Sequence, residues 1–175
     1  MTGRSSETGY FIREVAESVI VAVLLALIIR FFLFQPFFIP SGSMEPTLKK
    51  GDRIVVSKIT YRLSEPKRGD IIVFKYPVNP KRDFIKRLIG LPGETLEVKN
   101  SQVYIDGKVL EQSFLPKGLT YNNFGPVKIP EKQYFMMGDN RNNSEDSRFW
   151  GTLPEENIIG RAMFVYWPFD RAGRL

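Results

Sequence analysis

Three segments of this 175-residue chain place reactive residue types where they could do chemistry. The first, I-P-S-G-S-M-E-P-T-L from Ile39 to Leu48, presents Ser43 between Pro40 and Pro46, which fix φ, and beside Gly42, which lets a second backbone come close. Such a loop can mount a nucleophile or serve as a plain linker. The second, D-F-I-K-R-L-I-G-L-P-G-E from Asp83 to Glu94, has a strand alternation that puts Phe84, Lys86 and Leu88 on one face and Ile85, Arg87 and Ile89 on the other. A basic group therefore sits among apolar neighbours whichever face is inside. Of the two, only Lys86 can act as a base, because arginine keeps its proton at any pH a protein meets. Lowering a lysine pKa from about 10.4 to about 8 raises the neutral fraction near pH 7.4 from roughly one in a thousand to roughly a fifth, a shift of about 3 kcal/mol that burial can supply. The alternative is an exposed edge-strand lysine whose stem covers apolar surface. The third segment, G-D-N-R-N-N-S-E-D-S-R-F-W-G from Gly138 to Gly151, is dense in short hydrogen-bonding side chains and paired charges, as in a loop ordered by its own network. Asp139, Asn143 and Glu145 approximate a calcium loop, but Arg141 and Ser144 stand where a ligand and a glycine are needed.

What the chain lacks narrows the chemistry further. With no Cys there is no disulfide framework, thiol nucleophile or thiolate metal site, and with no His there is no Ser-His-Asp arrangement or imidazole-ligated metal. Acid–base work near neutral pH must then fall to Lys, Asp, Glu or Tyr with a shifted pKa. No metal or cofactor is expected. The net charge of +6 suits anionic surfaces, but the basic residues are scattered, so no nucleic-acid partner is expected either.

The elements that must hold these residues are short strands on an apolar tether. Val19 to Ile29 contains no polar residue, and beyond Arg30 the chain continues F-F-L-F, Gln35-Pro36 and F-F-I. From Val19 to Ile39 there are 21 positions, roughly 30 Å as helix, about a bilayer's hydrocarbon thickness. The expectation is an amino-terminal tail at 1–17, whose side of the membrane the charges do not fix, a retained transmembrane anchor over 18–38 with Arg30 at the interface and Phe31 to Phe38 at the membrane surface, and a β domain over 39–175. A cleaved signal peptide, with Ser41 and Ser43 at the spacing of a cleavage site, is the rival reading. Candidate strands run over 53–59, 70–76, 84–89, 95–99, 102–105, 108–110, 127–129, 133–137 and 160–167. Asn100-Ser101 and Asp106-Gly107 make Thr95 to Leu110 a three-strand meander. Thr152-x-x-Glu155 with Pro154 predicts one capped soluble helix. The expected fold class is all-β, mostly antiparallel sheets forming a partly closed barrel or a pair of packed sheets, with one N-terminal transmembrane helix.

Taken in order, the apolar span, P-S-G-S-M-E-P-T-L, G-D-R-I-V-V-S-K, R-G-D-I-I-V-F, I-K-R-L-I-G-L-P-G-E and G-D-N-R-N-N-S-E-D-S-R-F-W-G closely resemble bacterial signal peptidase I in its compact single-span branch, from about Ile39 to Gly160. The resemblance implies that Ser43 is the nucleophile and Lys86 the general base. It implies that Ser144 hydrogen-bonds and orients the lysine amine, and that the Ser43 N–H with the Ser41 hydroxyl forms the oxyanion hole. Asp146 with Arg148 would brace the loop carrying Ser144. The activity implied is cleavage of signal peptides from secreted preproteins after small-x-small residues, through an acyl-enzyme, at the outer face of a bacterium's cytoplasmic membrane with the N-terminus inside. The partners expected are such preproteins and the lipid bilayer, with the enzyme a monomer. Phe84 stands where a tyrosine is expected in relatives, which bears on the substrate pocket. Two other readings remain open on residues alone: a self-cleaving Ser/Lys protease of the repressor type, and a non-catalytic tethered β module.

Overall fold

The computed structural model describes residues 4–28 and 33–175. An amino-terminal helix, α1 (Arg4–Ile28), is followed by β1 (Phe34–Phe38), β2 (Arg53–Ser57), the single turn α2 (Thr60–Leu63), β3 (Ile71–Lys75) and β4 (Asp83–Gly90). Then come β5 (Thr95–Lys99), β6 (Gln102–Ile105), β7 (Lys108–Val109), β8 (Phe124–Lys128) and β9 (Gln133–Met137). The chain closes with α3 (Ser147–Trp150), β10 (Leu153–Pro154), β11 (Ile158–Trp167) and β12 (Gly173–Arg174).

The strands form two sheets. The larger runs β1-β2-β11-β3-β4-β9-β10 with β12 on β11, and the smaller runs β7-β6-β5-β8. Every pairing is antiparallel. The sheets share a core in which Ile89, Phe135 and Met137 of the larger meet Leu96, Val98 and Val103 of the smaller. A second cluster joins Ile39, Met44 and Leu48 of the Ser43 loop to Ile54, Val56 and Val73, so the loop is pinned by its own apolar residues. The expected meander is β5-β6-β7, with the positive φ its turns require at Asn100, Ser101, Asp106 and Gly107.

Three expectations are corrected. The larger sheet is open, with β1 and β10 at its ends, so the partly closed barrel is not formed. Both end strands carry a proline, Pro36 and Pro154, which has no N–H to extend the ladder. The second correction concerns the anchor over 18–38. Among the described residues no helix is long and apolar enough to cross a membrane. The first half of α1 carries Arg13, Glu14 and Glu17, leaving Val19–Ile28 as its apolar part, about 15 Å of helix. Phe34–Phe38 is a strand paired with β2 from Phe34↔Ser57 to Phe38↔Arg53. Pro36 suits that edge and opposes a helix, while Phe37 packs on the core and Phe34 and Phe38 point outward. Arg30, Phe31 and Phe32 lie outside the described residues. Third, Thr152 caps no helix: Leu153 and Pro154 pair with β9, only a 3₁₀ turn follows at Glu155–Asn157, and the Thr152 hydroxyl bonds Gln133 instead.

Candidate active site

Ser43 and Lys86, separated by 43 positions, meet at the floor of one cleft. Lys86 Nζ lies 2.8 Å from Ser43 Oγ and donates to the Ile85 carbonyl at 3.0 Å. Ser43 is 9% exposed and Lys86 4%. The lysine is carried by β4, which is paired on one side by β3 from Ile71↔Arg87 to Lys75↔Asp83 and on the other by β9 only from Arg87 onward. Lys86 thus sits where the β9 ladder stops, beside Phe84, whose ring centre is 5.2 Å from Nζ. Burial brings the amine's pKa from an ordinary 10.5 down to about 8, against the upward pull of Asp146, Glu145 and Asp139. The cleft, about 520 Å³, is lined on one side by Pro40, Ser41 and Gly42 and on the other by Arg82 to Ile85, with Asn143 and Glu145 at its rim.

The loop after β9 is ordered by buried charge. Asp146, fully buried, accepts from the Gly138 N–H at 3.0 Å and from Nε and Nη2 of the Arg148 guanidinium, both at 2.8 Å. Arg148 also donates to the Arg141 carbonyl at 2.7 Å. Asp139 accepts from Arg87 at 2.9 and 2.6 Å and from Thr47 at 2.5 Å, so this loop is fastened both to β4 and to the Ser43 segment. Arg141 reaches the Gly138 carbonyl, Gln112 and the Tyr121 hydroxyl, tying the loop to the segment between β7 and β8. Asp139 is thus engaged by Arg87 and the Thr47 hydroxyl, and Glu145 accepts from the Tyr76 hydroxyl at 2.7 Å, so both carboxylates of the calcium-like spacing have partners within the protein.

The residues singled out in the sequence all converge here, with two differences of detail. Ser41 Oγ lies 3.5 Å from Ser43 Oγ, at the outer limit of a hydrogen bond. Ser144 is 8% exposed, and its hydroxyl has no hydrogen-bond partner among the described residues, Lys86 included. It lies instead against Gly138: a Cβ on that glycine would fall 2.2 Å from Ser144 Oγ and 2.5 Å from the Ser43 carbonyl oxygen. The Arg87–Asp139–Thr47 tie and the role of Asn140 on the Ser43 backbone escaped the sequence reading. Contacts between positions 52 to 98 residues apart leave no local signature.

Comparison with known proteins bears on this arrangement. The family model described as signal peptidase, peptidase S26, matches residues 12–167. The chain belongs to the signal peptidase family, peptidase S26. It is 48% identical to probable signal peptidase I-1 of Synechocystis over 94% of this chain and 87% of that one. It is 43% identical to signal peptidase I T of Bacillus subtilis over 90% and 86%. Among solved structures, a signal peptidase I from Enterococcus faecalis superposes with a TM-score of 0.50 and 35% identity, covering 56% of this chain and 97% of that chain. As a member of the signal peptidase family the protein is a serine endopeptidase, and its hydrolytic chemistry is to be sought in the cleft just described.

Proposed function

We propose that the protein removes N-terminal signal peptides from exported preproteins, cutting after small-x-small residues with Ser43 as nucleophile and Lys86 as general base. The observation that carries this reading is a desolvated amine 2.8 Å from a serine hydroxyl in a chain with no histidine. In its neutral form the amine accepts the hydroxyl proton at that separation. Ser43 Oγ attacks the scissile carbonyl carbon as its proton passes to Lys86 Nζ, and the carbonyl oxygen takes the negative charge. The Ser43 N–H and the Ser41 hydroxyl stabilise that oxygen. As the C–N bond breaks, the ammonium returns the proton to the leaving amine. Water then attacks the Ser43 ester as its proton passes to Lys86, and the ammonium hands that proton to Ser43 Oγ as the ester C–O bond breaks and the new carboxyl terminus leaves. The ammonium has one more N–H than the neutral amine, and the unpartnered Ser144 hydroxyl is the acceptor we assign to it. Asp146 and Arg148 hold Ser144 in place through the Gly138 N–H and the Arg141 carbonyl.

Support for an extended substrate comes from β4, whose edge from Asp83 to Lys86 is left open by β9 and borders the cleft. A segment adding to that edge would turn alternate side chains toward the same wall, which suits recognition at the first and third positions before the cut. Phe84, stacked on Tyr76 at 4.3 Å between ring centres, forms part of that wall. We place the enzyme at the outer face of the cytoplasmic membrane. Seven aliphatic side chains between Val19 and Leu27 are 43–58% exposed on α1, and burying them in lipid would contribute on the order of 5–10 kcal/mol. Phe34 and Phe38 of β1 also face outward, close in sequence to the cleft, which begins at Pro40.

The test is cleavage of a preprotein in detergent by Ser43→Ala and Lys86→Ala. Each variant is expected to lose at least about a thousandfold in kcat/KM while keeping its thermal transition, as removal of a nucleophile or its base does elsewhere. Wild-type turnover by either one rejects the assignment.

A further inference from the structure

Both peptide groups that flank Ser43 are held by one residue, Asn140. Its side-chain Nδ2 donates to the Gly42 carbonyl at 3.1 Å, and its backbone N–H donates to the Ser43 carbonyl at 3.1 Å. The Gly42 carbonyl takes a further bond, from the Glu45 N–H at 3.1 Å. In a trans peptide the carbonyl and the next residue's N–H lie in one rigid plane and point in opposite directions, and the Gly42–Ser43 bond is trans. Two donors on the Gly42 oxygen therefore also set the direction of the Ser43 N–H, pointing it away from the loop that carries Asn140. Among the described residues that N–H finds no protein acceptor.

We propose that Asn140 is a positioning residue for the oxyanion hole: it locks the peptide plane between Gly42 and Ser43 so that the Ser43 N–H is aimed before substrate arrives. The inference rests on the reading that Ser43 is the nucleophile and its N–H an oxyanion donor. A donor of this kind lowers the barrier because it needs no reorientation when charge develops. A single peptide plane in a turn can rock by tens of degrees if its carbonyl is free to bond water instead. Asn140 prevents this from a stiff base, because the neighbouring Asp139 is clamped by Arg87 and Thr47 and the neighbouring Arg141 by the Gly138 carbonyl and Tyr121. The open edge of β4, where substrate would dock, shares no bond with this tie. Loss of the Asn140 amide should consequently fall on the chemical step and spare ground-state binding.

The experiment compares wild type with Asn140→Leu, which keeps the size of the side chain, and Asn140→Ala, both as full-length protein in detergent. Two signal-peptide analogues report the oxyanion hole: a peptide aldehyde, which forms a tetrahedral adduct with Ser43, and the matching peptide alcohol, which cannot. Removing an oxyanion donor outright costs about 100- to 1,000-fold, so misaiming one is expected to lower kcat by about 10- to 100-fold, with KM within about threefold of wild type. Aldehyde affinity should fall by a similar factor while alcohol affinity and the pH of half-maximal rate stay put. A kcat within threefold of wild type in both variants overturns the proposal. So does an equal loss of affinity for aldehyde and alcohol, which makes Asn140 a structural tie only. Full activity of Ser43→Ala is the distinct outcome that brings down the underlying assignment, whatever Asn140 does.

Discussion

Lys86 holds its proton less well in the folded chain than out of it. Burial brings its pKa from 10.5 to about 8. Between those two pH values the unfolded chain binds the extra proton and the folded one does not, so folding stability rises with pH from about 8 to 10.5. Below about pH 8 the full penalty of a buried ammonium is present. Lys86→Met, which fills the same space without the charge, is therefore expected to raise the free energy of unfolding at pH 7 by about 1–3 kcal/mol while abolishing cleavage, with the difference from wild type shrinking toward pH 10. Denaturant titrations at both pH values read this out, and a less stable variant at pH 7 contradicts it. The alternation of Asp83 to Glu94 puts a basic group among apolar neighbours but leaves open whether Lys86 is buried or stands exposed on an edge strand, which only the packing of β4 decides. Its partner was not legible from spacing, because Ser43 lies 43 positions away and only folding brings the two together.

Among the elements, the turn from β9 into the loop that carries Ser144 leaves no room for a side chain. A Cβ at Gly138 would overlap both the Ser144 hydroxyl and the Ser43 carbonyl oxygen, and the latter is backbone held by Asn140. Gly138→Ala is expected to lower kcat/KM by more than about 100-fold, because even a small displacement of the reacting groups carries such a loss. Gly151→Ala is the comparison: its φ of +88° strains an alanine, yet nothing lies within 4 Å of the added carbon, so activity should stay within about threefold. Steady-state kinetics distinguish the two. The strands with turn chemistry at both ends, β5, β6 and β9, were readable to the residue, since Asn100-Ser101, Asp106-Gly107 and Gly138 mark where they stop. β1 was not. Phe31 to Phe38 is apolar but for Gln35, so no period distinguishes strand from helix, and the pairing with β2 that decides it is tertiary. The supposed capping box failed for a related reason, as Leu153 found a place against β9 that a helix would have denied it.

At the scale of the whole molecule, the sheet that carries the candidate site has aromatic residues at one end. Phe38, Arg53 and Trp167 stand opposite one another across β1, β2 and β11, and Trp167 packs against the exposed Phe169 with ring centres 4.7 Å apart. Aromatic and basic residues side by side suit the interface of a bilayer. The full chain is expected to float with phosphatidylcholine vesicles at high salt. Replacing Leu24 and Leu25 with Glu should leave it in solution with cleavage of a short soluble peptide changed less than about threefold. Vesicle binding unchanged by the double substitution would remove α1 from the account of membrane attachment. Composition marks the apolar segment near the amino terminus but not its form, because residue types report what must avoid water and leave open whether lipid, a sheet or a partner supplies the shelter.

The proton acceptor is tested most directly by the pH dependence of kcat/KM for preprotein cleavage. With a neutral Lys86 amine as the base, the rate should climb about tenfold per unit below its pKa and level off above about pH 8. A profile flat from pH 6 to 9 would contradict it.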